Sequence, residues 1–373
     1  MRRSFICLVA CVCWIQSAAG LLTAETPVDA GILSLWSDSD SWGGLADRRP
    51  SGPTNRFRAA KAHQSRNQWL LAEDSFTAGL KSCPPITPRT VELNRTALTE
   101  LGISQAMSGR PDAARKTLNA VESKYSGGLA GSEIGRLQFV VGFAYFISAS
   151  NAAAADGETD SATWFGAHTL RRVFNLSGKS LSMPDSAFSG ATMLFSETQS
   201  VSDATAKALS VFDAIVIRDP DGHYADAALL ISGILLRKTQ EYKEALTRYE
   251  KLIENYASSP TQPFACMEAA EALLQIKDRP IYDFTWDINA ERYFRRAAGA
   301  LSGVIGPVAD RLREIGELIE KRRVDRAVAR ARFYLSNNEI RAAEIVLDEA
   351  RRAYPGRPAA RAAERLLMDI RSR

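Results

Sequence analysis

From Tyr224 to Pro260 the chain reads YADAALLISGILLRKTQEYKEALTRYEKLIENYASSP, and its apolar positions recur at helical spacing. Tyr242, Ala245, Leu246, Tyr249, Leu252, Ile253 and Tyr256 each have a partner three or four residues on or back, which places them on one face of a helix. Glu241, Lys243, Glu244, Arg248, Glu250, Lys251 and Glu254 cover the other face. The order Glu244 then Arg248 suits an i,i+4 ion pair worth about 0.3 kcal/mol. The preceding stretch, 225–237, is small and apolar and predicts a partner helix. Gly233 lies inside it, where glycine costs about 1 kcal/mol against alanine. A close neighbour is the expected reason, so Gly233 and Ala245 predict tight packing within a helical hairpin.

The same offsets return along the chain. Gly233, Gln240, Ala245, Tyr249 and Leu252 are matched by Gly102, Gly109, Ala114, Leu118 and Val121. They are matched again by Ala60, Asn67, Ala72, Phe76 and Gly79, and by Ala331, Asn338, Ala343, Leu347 and Ala350 with Pro355 after them. At the turn position Gly109, Asn67 and Asn338 are residue types that accept the left-handed backbone with which many helices end. The pattern resembles the tetratricopeptide repeat. That resemblance implies an all-α fold, a helical-hairpin solenoid wound into a right-handed superhelix of about six to seven hairpins with a C-terminal capping helix. Ala60, Ala72, Gly102, Ala114, Gly233, Ala245, Ala331 and Ala343 are then its repeat-packing residues.

Between these anchors the pattern predicts a block of N-terminal helical repeats over 54–180. Its third hairpin has helices near 137–148 and 161–174, parted by an insertion at 151–157. The Ser-, Gly- and Met-rich stretch 175–193 reads as a break. A second block, 200–373, holds a helix at 203–217 ended by Asp219-Pro220-Asp221-Gly222, then the hairpin above and a helix at 263–276. A loop with Pro280, Tyr282, Phe284 and Trp286 follows, then a helix at 288–301, a hairpin over 308–354 and a capping helix at 358–370.

With 46% hydrophobic and 24% charged residues among 373, the composition is that of an ordinary soluble protein. The formal charge of +4 is uneven. The last stretch is basic, with Arg292, Arg295, Arg296, Arg322, Arg323, Arg326, Arg330 and Arg332. A solvated helix face, an acidic partner or an anionic membrane surface all fit this charge. No basic platform interleaved with aromatics is present, so nucleic acid is not an expected partner.

Arg2 and Arg3 precede an apolar run over 5–15 that is too short to span a membrane, which predicts an export signal. Residues 1–19 then form a signal peptide cleaved after Ser17-Ala18-Ala19, and 20–53 a flexible N-terminal segment. Leu8-Val9-Ala10-Cys11 also resembles a lipobox, which would leave Cys11 lipidated; both endings stay open, and membrane attachment is expected only in the second. Cys83 and Cys266 fall in distant repeats, so no disulfide between them is expected.

Candidate chemistry is sparse. His63, His168 and His223 stand in no ligand or nucleophile pattern, and no nucleophile elbow, zinc-protease helix, phosphate loop or dinucleotide fingerprint occurs. No catalytic residue, no metal and no cofactor are expected, and the chain does not read as an enzyme. Tyr282, Phe284 and Trp286 form the most distinctive aromatic cluster and are possible partner contacts. At the inner positions of the first helices, Phe57, Lys61 and Gln64, or Asp325, Val328 and Arg332, form no clamp for a terminal carboxylate.

Phe212, Asp219-Pro220, Tyr224-Ala225-Asp226-Ala227-Ala228, Tyr242-Lys243-Glu244-Ala245, Phe333-Tyr334 and Ala353-Tyr354-Pro355 carry a further resemblance. Over roughly residues 200–373 the chain resembles the BamD-like family of bacterial outer-membrane assembly lipoproteins. The resemblance implies a scaffold in the periplasm or on the periplasmic face of the outer membrane. Its partners would be envelope proteins or extended peptides, among them outer-membrane β-barrel assembly subunits. Periplasmic tetratricopeptide adaptors that bind cell-wall polymer, or a cell-wall or cell-division enzyme, resemble it as well.

Overall fold

The computed structural model describes residues 52–125, 131–155, 200–276 and 285–372. Among them the secondary structure is thirteen α-helices and one short 3-10 turn. The chain divides into two compact units, one up to Asn94 and one from Arg95 onward.

In the first unit, α1 (Pro53–Ser65) and α2 (Trp69–Lys81) form a helical pair. Phe57 and Phe76 meet between them with ring centroids 6.2 Å apart, both fully buried. Gly79 makes room for this, since a Cβ there would stand 2.5 Å from the Phe57 ring. After α2, Thr87 and Thr90 cap each other's backbone N–H at the start of α3 (Pro88–Met107). Asn94 on α3 donates its amide to the Cys83 carbonyl at 2.7 Å, which satisfies the backbone after α2.

The second unit continues through α4 (Pro111–Tyr125), α5 (Gly131–Ala155), α6 (Val201–Arg218), α7 (Ala225–Lys238), α8 (Tyr242–Asn255) and α9 (Gln262–Gln275). It ends with α10 (Thr285–Ala300), α11 (Pro307–Ser336), α12 (Ile340–Ala353) and α13 (Arg361–Arg371). Helix α7 is buried without interruption from Ala225 to Arg237, and α9 nearly so. Helices apolar around their whole circumference belong inside. The flanking α4, α8 and α12 each bury a single stripe, as their charged outer faces require.

One turn is built four times. Asn67, Gly109, Gln240 and Asn338 have φ of 59°, 81°, 64° and 62°. In each case the N–H of that residue bonds the carbonyl three residues back. The next N–H reaches five residues back: Gln68 to His63, Arg110 to Gln105, Glu241 to Leu236 and Glu339 to Tyr334, at 2.8 to 3.0 Å. This is the Schellman ending, which satisfies carbonyls left over by the helix. Gln240 adopts the left-handed backbone although it is neither glycine nor asparagine.

Three local expectations change. Helix α5 runs on through Asn151–Ala155, where an insertion was expected to begin; alanine has the strongest helix preference of any residue and carries the helix past Asn151. Trp286, expected in a loop, lies in the first turn of α10. Arg248 does not pair with Glu244 along α8; it forks onto both carboxylate oxygens of Asp213 on α6, with Nη2 at 3.0 Å from Oδ2. A two-pronged bond to a neighbouring helix outweighs a single solvated pair on the same helix. Cys83 and Cys266 are buried and free. Cys11, Tyr282, Phe284, His168, the 161–174 helix and the 175–193 break lie outside the described residues.

Candidate protein-binding groove

Ala60 and Ala72 in the first unit, and Gly102, Ala114, Gly233, Ala245, Ala331 and Ala343 in the second, are all buried. A Cβ on Gly102 would stand 2.8 Å from Leu137 Cδ1, and one on Gly233 would run into the Tyr249 ring. The neighbour that demands Gly233 is thus an aromatic ring one turn beyond Ala245.

Behind Tyr249 lies a buried ionic knot. Arg237 of α7 donates from Nε to Glu268 Oε2 at 2.9 Å and from Nη1 to Glu271 Oε1 at 3.3 Å, both on α9. Arg311 of α11 reaches Glu271 Oε2 at 3.1 Å, and the Tyr249 hydroxyl stands 3.4 Å from Glu268. Burial pushes the Glu268 carboxyl above its ordinary value, although Arg237 and Arg311 pull the other way. Burial also raises the Tyr249 phenol well above 10. The knot joins α7, α8, α9 and α11, with Arg237, Glu268 and Glu271 buried and Arg311 partly open to solvent. Burial likewise raises the Cys266 thiol, to about 11, which leaves it protonated and inert at neutral pH. His63 shares a hydrogen bond with Gln68 at 2.8 Å. Among the described residues no group of His, Cys, Asp and Glu has metal-binding geometry.

The open site lies between α10, α11 and α12. A groove of about 580 Å³ is lined by Ile288 and Glu291 from α10, by Arg323, Arg326, Ala327 and Arg330 from α11, and by Val346, Glu349, Ala350, Ala353 and Tyr354 at α12. Its position follows from helix phase. On α11, Val324, Val328 and Ala331 turn into a core with Ala343, Leu347, Ala363 and Leu367. The row at 323, 326, 327 and 330 is then set beside that core, flanking it rather than entering it. Alanines at 327, 350 and 353 leave the space that larger side chains would fill.

Guanidinium groups run along the α11 wall. Arg323 is ion-paired with Glu291 and donates from Nη1 to the Tyr354 hydroxyl at 3.1 Å. Burial works against the Arg323 charge, but the bonds to Tyr354 and Glu291 prevail and raise its pKa. Arg326 pairs with Asp287 at 3.3 Å. Arg330 is exposed and has no ion-pair partner among the described residues. Residues 285–372 hold eighteen Lys and Arg against thirteen Asp and Glu, a net +5; residues 200–276 hold seven against eleven, a net −4.

Asp325, Val328 and Arg332, the inner positions expected from the repeat pattern, are not among the groove's lining residues. The groove uses a neighbouring face of α11. Of the expected aromatic contacts only Trp286 is described, half-buried in α10.

Residues 227–259 match the family model of the tetratricopeptide repeat. The matched segment is the α7–α8 pair with the Gln240 turn, and the three other turns share its hydrogen bonds. A tetratricopeptide repeat protein from Parabacteroides merdae ATCC 43184 has a similar structure, with a TM-score of 0.39 and 14% identity over 85% of this chain and 98% of that one. That likeness is too slight to argue from. No curated protein matches the sequence. Among the described residues no helix is long and apolar enough to cross a membrane.

Proposed function

We propose that this chain is an exported, non-enzymatic scaffold of the cell envelope that holds a segment of another protein in the α10–α12 groove. The observation that carries the reading is the groove itself: an alanine-floored channel with a row of guanidiniums along one wall, on a fold of paired helices containing a tetratricopeptide segment. Such a surface offers apolar contact and fixed charge, which is what recognition of a peptide uses. Export rests on Arg2, Arg3 and the apolar run after them. In this reading residues 1–19 are removed or Cys11 is lipidated, 54–180 and 200–373 are two blocks of repeats, and Tyr282, Phe284 and Trp286 add partner contacts. The envelope role we favour is outer-membrane assembly, on the resemblance of residues 200–373. Depletion in the native cell tests it: levels of outer-membrane β-barrel proteins should fall, and unchanged levels would count against that role. The mass of the mature N-terminus decides between cleavage near Ala19 and acylation of Cys11.

A further inference from the structure

We infer that the groove takes the apolar stripe of an amphipathic helix from its protein partner. The inference rests on the scaffold reading and names the form and surface of the segment held. The α11 wall is mid-helix from Arg323 to Arg330, so its backbone N–H and C=O groups are bonded within the helix. An extended segment laid along that wall would find no ladder of backbone partners and would bury its own amides unpaired. A helical segment brings its backbone bonds with it and needs only side-chain contact.

The channel supplies that contact along one row. Ala327, Val346, Ala350 and Ala353 line it, and Ile288 on the α10 wall is 60% exposed. Phe333, 52% exposed, follows Arg326 by seven residues and Arg330 by three, so it extends the same face of α11 one turn beyond the groove. From Arg323 to Phe333 this face is about 15 Å long, nearly three turns of a helix laid alongside. The charges call for both signs in the occupant's flanks. Glu291 and Asp287 already hold Arg323 and Arg326, while exposed Arg330 and Glu349 leave one charge of each sign on facing walls. A uniformly acidic or uniformly basic segment meets a like charge there. A helix whose apolar stripe runs between flanks of mixed sign meets an opposite charge on each side.

The test uses the full chain and two fluorescently labelled peptides of one length and one composition, made of Leu, Glu and Lys. In the first the leucines recur at steps of three and four; in the second they fall at every second residue through its centre. The helix-patterned peptide should bind tighter by about ten-fold or more, and should gain helical circular dichroism on binding. Ile288→Asp and Phe333→Asp should each reduce its affinity by about ten-fold. Ile305→Asp, at an exposed residue outside the groove lining, should leave it unchanged. The thermal melt should stay in place for all three variants, because each position is exposed. Equal or tighter binding of the alternating peptide would overturn the helical inference and leave the scaffold reading intact. Binding that ignores both Ile288→Asp and Phe333→Asp would also overturn it, by placing the peptide elsewhere. Failure of both peptides would overturn the inference and count against the groove reading as well.

Discussion

Between Ala225 and Arg237, helix α7 has no exposed residue, whereas α11, with 30 residues against 14, has only six buried side chains among its described residues. The two helices stand in the same unit and meet different surroundings. Around α7 and α9 the buried charges answer one another: Arg237 pairs with Glu268 and Glu271, and Arg311, 22% exposed, joins Glu271 from α11. Around α10 to α12 Glu291 and Asp287 are paired with Arg323 and Arg326, while exposed Glu349 and Arg330 line an open channel. A scaffold needs both regions, one to hold the helices in register and one to present surface. Charge serves the first when it is closed off and the second when it is left open.

The strongest way to break this comparison is to remove one arginine from each region. Arg237→Leu leaves Glu268, with no exposed surface, without its main counter-charge. The expected loss is about 3 to 5 kcal/mol. Arg295→Leu removes a guanidinium that is 72% exposed and paired only along its own helix, and should change stability by less than about 0.5 kcal/mol. Chemical denaturation measures both. Hydrogen exchange over α7 to α9 shows whether the first loss is local, since repeat arrays need not unfold in one step. Equal effects would mean that the knot is no more than a solvated ion pair.

Next in size is Gly233→Ala. The added methyl meets the Tyr249 ring, which is itself fully buried and bonded to Glu268, so neither partner can yield cheaply. The cost should be about 2 kcal/mol, although alanine is the better helix former. Gly233→Ala with Tyr249→Leu should recover part of it. A single substitution that leaves the melt unchanged would show that the ring has room to move.

These residues also show what could be read from the chain. The turns at Asn67, Gly109 and Asn338 were legible because few residue types accept positive φ. Gln240 was legible only by its offset, as the seventh residue after Gly233. The small, apolar stretch 225–237 read as a partner helix; its complete burial, which takes Asp226 and Ser232 inside with it, was not read. The reason for Gly233 was only half legible: a close neighbour was implied, but Tyr249 reads as an ordinary position on the α8 stripe. The groove was not legible. Its arginines belong to a long charged helix, and only tertiary packing decides that 323, 326 and 330 edge a channel while 325, 328 and 332 do not. Helix α5 was read too short because Asn151 and Gly157 resemble a turn, whereas the alanines between them prolong the helix.

Acid should act on the two regions with opposite sign. Burial raises the folded-state pKa of Glu268, so the native state prefers it protonated. Its contribution is fully present below the unfolded pKa and lost as pH rises through the folded one. Asp348 on α12 is the reverse: the hydrogen bond from Arg351, with Arg352 nearby, lowers its pKa. Its contribution is present above the unfolded pKa and lost as pH falls through the folded one. Stability of Glu268→Gln and Asp348→Asn against the wild type, followed from pH 7 downward, should therefore diverge. The wild type should gain on the first variant and lose its lead over the second. Parallel curves would remove the distinction between closed and open charge.

A small effect of opposite sign is the closest control for Gly233. Gly299 also lies within a helix, near the end of α10, but a Cβ built there meets nothing within 4 Å. Gly299→Ala therefore restricts the unfolded chain and improves helix propensity with no clash to offset it, and should stabilise by about 0.5 kcal/mol. The same substitution thus changes sign between the buried hairpin and the exposed helix beside the groove. If Gly299→Ala destabilises as Gly233→Ala does, the penalty at Gly233 belongs to the backbone of these helices, and the Tyr249 contact is not its cause.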